Sequence, residues 1–119
     1  MQRLAKHSFA SFSDVAEICA ILFGAPFGEA THAQAYDFAA ASVGHANIAF
    51  GYVDCFEDVS LSRRMAIRTM PTILIIREGV EVKRMEGYHT ASYVSRCIRD
   101  AESSERSAGP SHSEAALRL

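Results

Sequence analysis

The chain has 119 residues, 49% of them hydrophobic and 22% charged, which suits one globular domain around a single core and argues against two. Its 12 basic residues do not outnumber its 14 acidic ones and no Arg/Lys run is interleaved with aromatics, so nucleic-acid binding has no support. The longest apolar stretch, Ile18 to Ala25, is far shorter than the roughly 20 residues that span a bilayer, and Asp14 and Glu17 interrupt the region that a secretory leader after Arg3 and Lys6 would keep apolar. A cytoplasmic protein with no membrane partner is expected. Three cysteines, Cys19, Cys55 and Cys97, are odd in number and widely spaced, which fits neither a disulfide framework nor a zinc site and favours reduced thiols. Charge is uneven: residues 1–59 carry two basic and seven acidic side chains, residues 60–119 ten basic and seven acidic. Arg63, Arg64 and Arg68 then make either a basic face or an ordinary solvated helix face.

In chain order, Ser11 or Ser13 can cap a short helix through Asp14 to Glu17. Ile18 to Phe23 lacks polar alternation and predicts a buried strand, ended by Gly24-Ala25-Pro26-Phe27-Gly28. Glu29 to Val43 is alanine-rich, with an acid near its N-terminus and Gly44 just beyond its end, and predicts one uninterrupted helix. Ile48 to Val53 predicts a second buried strand, Asp58 to Ala66 a helix begun by Asp58 as N-cap, and Thr72 to Ile76 a third strand. Glu78-Gly79 turns the chain into Val80-Glu81-Val82-Lys83, whose alternation fits a half-buried strand of a hairpin. Thr90 to Ala101 forms the last helix, with Tyr93, Val94, Cys97, Ile98 and Ala101 on one face. From Glu102 the composition turns to Ser, Glu, Gly, Pro and His, with too little apolar surface to offset ordering entropy. A domain over 1–102 and a disordered tail over 103–119 are expected, the closing Ala115 to Leu119 being a short docking motif or a frayed terminus. This element order predicts an α/β sandwich with a central mixed sheet.

Pro71 stands at the head of the third strand. Proline has no donor for a strand ladder and is tolerated there only at the first residue, and a cis X-Pro bond retained in a fold usually serves a purpose. Pro71 therefore reads as a cis proline in a functional corner.

Val53-Asp54-Cys55-Phe56-Glu57-Asp58, Ala66-Ile67-Arg68-Thr69-Met70-Pro71-Thr72, Arg77-Glu78-Gly79 and Gly87 together resemble the C-terminal two thirds of a thioredoxin, without gaps from about Val53 to Ala101. The strand from Ile18 and the helix from Glu29 fit the remaining third. The resemblance implies a thioredoxin-like three-layer sandwich with a cis-proline before the third core strand. Thioredoxins place Trp-Cys-Gly-Pro-Cys where Pro26-Phe27-Gly28-Glu29-Ala30 stands here, so both cysteines are missing. Dithiol exchange needs a thiolate at a helix N-terminus and a second, resolving thiol, and Phe27 and Ala30 supply neither. The family's buried aspartate falls at Ile21 and its helix-kinking proline at Ala35. In length, missing motif, proline and the run Gly87-Tyr88-His89, the chain also resembles the cysteine-less thioredoxin-like family that serves hydrogenase maturation by binding a subunit precursor.

The resemblance further implies that Thr69 and Met70, in the loop before Pro71 and Thr72, offer main-chain groups to an extended peptide, flanked by Phe27, Gly28, Glu86, Gly87 and Tyr88. Phe27, Met70 and Tyr88 then form an adaptable apolar patch, unless Phe27 plugs the space left by the cysteines. A protein or peptide client is the expected partner. No cofactor and no metal are expected, because His32 beside Glu29 lacks a third ligand. Cys19, Cys55 and Cys97 each read as core fillers; the alternative is a single-thiol oxidoreductase or redox sensor using Cys55, whose place at a strand end could expose it.

Overall fold

Strands with no polar alternation can be satisfied only when both faces are covered, and here they form the middle of the sheet. The computed structural model describes residues 2–4, 8, 9, 12 and 16–103. In chain order the elements are β1 (Gln2–Leu4), β2 (Ile18–Gly24), α1 (Glu29–Val43), β3 (Ala49–Asp54), α2 (Val59–Arg64), β4 (Thr72–Arg77), β5 (Val80–Glu86) and α3 (Ala91–Ser103). The five-stranded sheet has the order β1-β3-β2-β4-β5. Strands β1, β3 and β2 are parallel, while β4 and β5 add antiparallel. This is the mixed central sheet expected from the sequence.

Successive side chains of the central strands point to opposite faces, which divides the core in two. On one face Ile18, Ala20, Leu22, Ile73 and Ile75 meet Phe38 of α1 and Val94 and Ile98 of α3. On the other, Cys19, Ile21, Phe23, Leu74 and Ile76 meet Phe9, Phe12 and, from α2, Leu61. Helices thus cover both faces, giving three layers.

Several boundaries move. Strand β1 has no counterpart in the sequence reading; its Leu4 is buried over Gly51, where an added Cβ would stand 2.6 Å from the leucine Cδ1. Strand β5 runs past Lys83 to Glu86, which pairs with Thr72, after a turn whose Glu78 (φ 52°) and Gly79 (φ 81°) have the paired positive φ of a type I′ hairpin. Helix α3 continues through Ser103, beyond the boundary expected at 102, and residues 104–119, with the two readings of Ala115 to Leu119, lie outside the described residues. So do Ser11 and Ser13, while Ala16 and Glu17 form a bend.

Helix α2 stops at Arg64, two residues short of the expected Ala66. Ala66 N–H donates to Arg63 C=O (3.0 Å) and Ile67 N–H to Ser62 C=O (3.0 Å), the crossed pair of a Schellman cap with Ala66 in its left-handed position at φ 56°. Glycine normally occupies that position, and its absence hides the stop signal. The Arg84 guanidinium completes the cap by donating to the carbonyls of Met65 (2.9 Å) and Ala66 (3.0 Å).

At the end of the sheet where β2 begins, Arg77 is 8% exposed and donates to the Ala101 carbonyl (2.6 Å) and the Glu17 carboxylate (2.5 Å). Strand β4 and α3 are locked to the entry of β2 there. No helix among the described residues is long and apolar enough to cross a membrane.

Candidate functional site

The opposite end of the sheet is built from the turn after β2, the turn after β3 and the loop before β4. Thr31, 3% exposed, accepts a hydrogen bond from Ala25 N–H (3.1 Å) and packs so closely on Gly24 that a Cβ there would meet its Cγ2 at 2.5 Å. The chain is thereby bent from β2 into α1, and Gly28 is the N-cap without any side-chain cap. The His32 ring closes the same turn against the Pro26 carbonyl (2.5 Å). Phe27 is left at the tip, 70% exposed, so it does not plug a vacancy. Its ring meets Phe56 edge-on, with centroids 4.7 Å apart.

Phe56 belongs to the turn between β3 and α2. Asp54, nearly buried, accepts from the main-chain N–H of Phe56 (2.9 Å) and Glu57 (3.1 Å), an Asx turn that presents Phe56 outward. Arg3 ties β1 to this turn through Asp54 (3.5 Å) and Glu57. Next to it lies an open groove of about 270 Å³ lined by Phe56, Val59, Ile67 and Met70, with Cys55 and Ser62 between them and Arg63 at the α2 side. Phe56, Val59 and Met70 are each more than 40% exposed.

Met70 precedes Pro71 across a cis peptide bond. Pro71 is buried, its carbonyl accepts Gly87 N–H (2.8 Å), and Thr72 Oγ1 donates to the Thr69 carbonyl (2.6 Å). Among the described residues, neither the N–H nor the C=O of Met70 takes a hydrogen bond. An extended main chain laid beside Met70 would find both groups available.

The expected site residues therefore fall into two groups. Met70 lines the groove, Phe27 adjoins it through its ring contact with Phe56, Thr69, Pro71 and Thr72 form the main chain around Met70, and Gly87 is joined to Pro71, whereas Gly28 is the N-cap of α1 and does not line the groove. Tyr88 is different: its hydroxyl donates to the Asp37 carboxylate of α1, which pushes the phenol pKa above its ordinary value, and it does not line the groove. The apolar partners of Phe27 and Met70 are Phe56, Val59 and Ile67, none of which was singled out in the sequence. The one available signal was Phe56, an aromatic in a turn otherwise made of Asp54, Glu57 and Asp58. Gln34 was missed as well. Fully buried in α1, its side-chain amide donates to the His89 carbonyl (2.9 Å) and accepts His89 N–H (2.7 Å), fixing the loop that carries Gly87 and Tyr88.

Cys55 is buried, as the core-filling reading expected, and the exposed strand end of the single-thiol alternative is not found. Burial raises its thiol pKa, a hydrogen bond with Ser62 works the other way, and the Asp54 charge raises it further. Cys19 lies wholly in the core, with its thiol pushed up to about 12 by burial alone. Among the described residues no three His, Cys, Asp or Glu side chains converge on a metal position.

The family model described as thioredoxin matches residues 4–100. The chain belongs to the thioredoxin family. Solved structures of thioredoxins share its fold at low identity. Chloroplastic thioredoxin z is 17% identical with a TM-score of 0.78, the match covering 87% of this chain and 95% of that one. For Plasmodium falciparum thioredoxin the values are 20%, 0.77, 84% and 98%, and for Malassezia sympodialis thioredoxin 19%, 0.75, 84% and 89%. No curated protein matches the chain. In this thioredoxin-family member, the turn from β2 into α1 carries Phe27, Gly28, Glu29 and Ala30 and no cysteine.

Proposed function

We propose that this thioredoxin-fold chain is a redox-inactive binding module, an accessory or chaperone protein that holds an extended segment of a protein client. The client lies along the groove of Phe27, Phe56, Val59, Ile67 and Met70 and pairs with the main chain of Met70. The observation that carries this reading is the exposure of those apolar side chains beside main-chain groups with no internal partner: strand-like pairing supplies affinity and alternate side-chain pockets supply selectivity. Neither step needs a thiol.

Thiol exchange through Cys55 alone has less support, since a buried thiol with a raised pKa holds little of the thiolate that acts as nucleophile. Capture of clients from the native cell extract on immobilised protein tests the binding reading. Met70→Asp and Phe27→Asp are expected to abolish capture with the fold intact; undiminished recovery by both variants sinks the placement. Insulin reduction with dithiothreitol, comparing wild type with Cys55→Ser, tests the other reading, and a Cys55-dependent rate above background would end the binding-only account.

A further inference from the structure

The groove has a charge sign as well as an apolar floor. Residues 59–77 hold four arginines and no acid. Two of the four are spoken for, Arg77 by Glu17 at the far end of the sheet and Arg68 by Glu86 at 3.5 Å. Arg63 and Arg64 are exposed and have no ion-pair partner among the described residues, and Arg63 lines the groove itself. The acids nearest in sequence are already engaged: Glu57 pairs with Arg3, and Asp58 is half-buried with an interaction of its own. Glu29, at the start of α1, does not line the groove. The uncompensated charge at the groove is therefore positive.

We infer that the groove selects extended segments in which a bulky apolar side chain is flanked by aspartate or glutamate, an inference that rests on the binding reading above. The apolar side chain fills the space between Phe56, Val59, Ile67 and Met70, and the carboxylate reaches the Arg63 guanidinium, whose paired N–H groups match a carboxylate in geometry as well as charge. Lysine or arginine in the same place meets the Arg63 guanidinium, with the exposed Arg64 next to it in sequence, and is rejected, so the positive charge acts against wrong clients as much as for the right ones. Because the arginines are exposed, the effect is moderate and weakens with salt.

The test uses fluorescence anisotropy with the full chain and three labelled peptides that share a central Val-Leu-Phe-Val segment flanked on both sides by Glu, Gln or Lys. The Glu-flanked peptide is expected to bind at least about fivefold more tightly than the Lys-flanked one at low salt, with the Gln-flanked peptide between them. The ratio should shrink toward unity at about 0.5 M salt. The double change Arg63→Glu with Arg64→Glu should reverse the order, whereas Arg99→Glu on the exposed side of α3 should leave it unchanged. Equal binding of all three peptides, or an order that survives the double change, overturns the charge preference and leaves peptide capture standing. Absence of binding by all three, with the circular dichroism of the folded protein intact, overturns the binding reading and this inference together.

Discussion

The two ends of the sheet have opposite characters. Where β2 begins, Arg77 gives its donors to a carbonyl of α3 and a carboxylate before β2, and the strand, the helix and the entry segment move as one piece. Where β2 ends, two phenylalanines, a valine and a methionine face solvent and the main chain of Met70 has no partner among the described residues. A small domain can leave apolar side chains and backbone groups open at one end because the other end and the two-faced core carry its stability. The difference puts the buried anchoring contacts at one end and the open apolar groove of the proposed binding site at the other.

The sharpest way to break this comparison is Arg77→Ala. Removing a buried guanidinium takes its hydrogen bonds away from the Ala101 carbonyl and leaves the Glu17 carboxylate without its cation, and a loss of about 3 kcal/mol is expected in urea unfolding. A change no larger than that of an open-end variant would show that stability is not concentrated there. Gln34→Leu comes next, because it takes away the partner of both main-chain groups of His89 in a half-buried setting; about 2 kcal/mol should be lost.

The thiols sharpen the contrast through pH. In the fold Cys19 keeps its proton up to about pH 12, whereas the unfolded chain releases it near the ordinary 9.0. Its contribution is thus complete below pH 9 and is lost as pH rises toward 12, at a slope approaching about 1.4 kcal/mol per unit. Urea midpoints measured across that range should fall, and fall less steeply in Cys19→Ala. Cys55, beside the groove, should react with iodoacetamide before Cys19 does.

Ala66→Gly should stabilise the protein by roughly 1 kcal/mol, since glycine adopts the left-handed position of the α2 cap without penalty. The smallest effect belongs to the open end itself. Phe27→Asp and Met70→Asp should each change stability by less than about 0.5 kcal/mol while removing client capture. A large loss of stability would mean that these side chains are part of the core after all.

These residues also show what the sequence could and could not convey. The buried strands, the full length of α1 and the Pro71 corner were legible because each is written in local terms: an unbroken apolar run, a glycine stop, a proline at a strand head. The end of α2 was not, because Ala66 stands where a glycine would have announced it and Arg84, far along the chain, satisfies the cap. Strand β1 was hidden because three residues carry no period, and its place depends on Leu4 finding Gly51 across the sheet. The groove was half legible. Phe27 and Met70 lie beside recognisable landmarks, but Phe56, Val59 and Ile67 become their neighbours only once the Asx turn and the Schellman cap have bent the chain. The setting of Tyr88 was hidden for the same reason, since its partner Asp37 lies across the fold on α1.

The Gln34 clamp has a further consequence for observing the protein at work. The His89 amide sits in a loop, yet its hydrogen goes to a side chain that is wholly buried, so it should exchange with solvent as slowly as an amide inside a strand. Gly87, two residues earlier, donates to Pro71, at the edge of the groove. Two exchange rates from the same loop would then report separately on its anchor and on the rim of the groove. A client that disturbs only the rim would change one signal and leave the other as an internal standard.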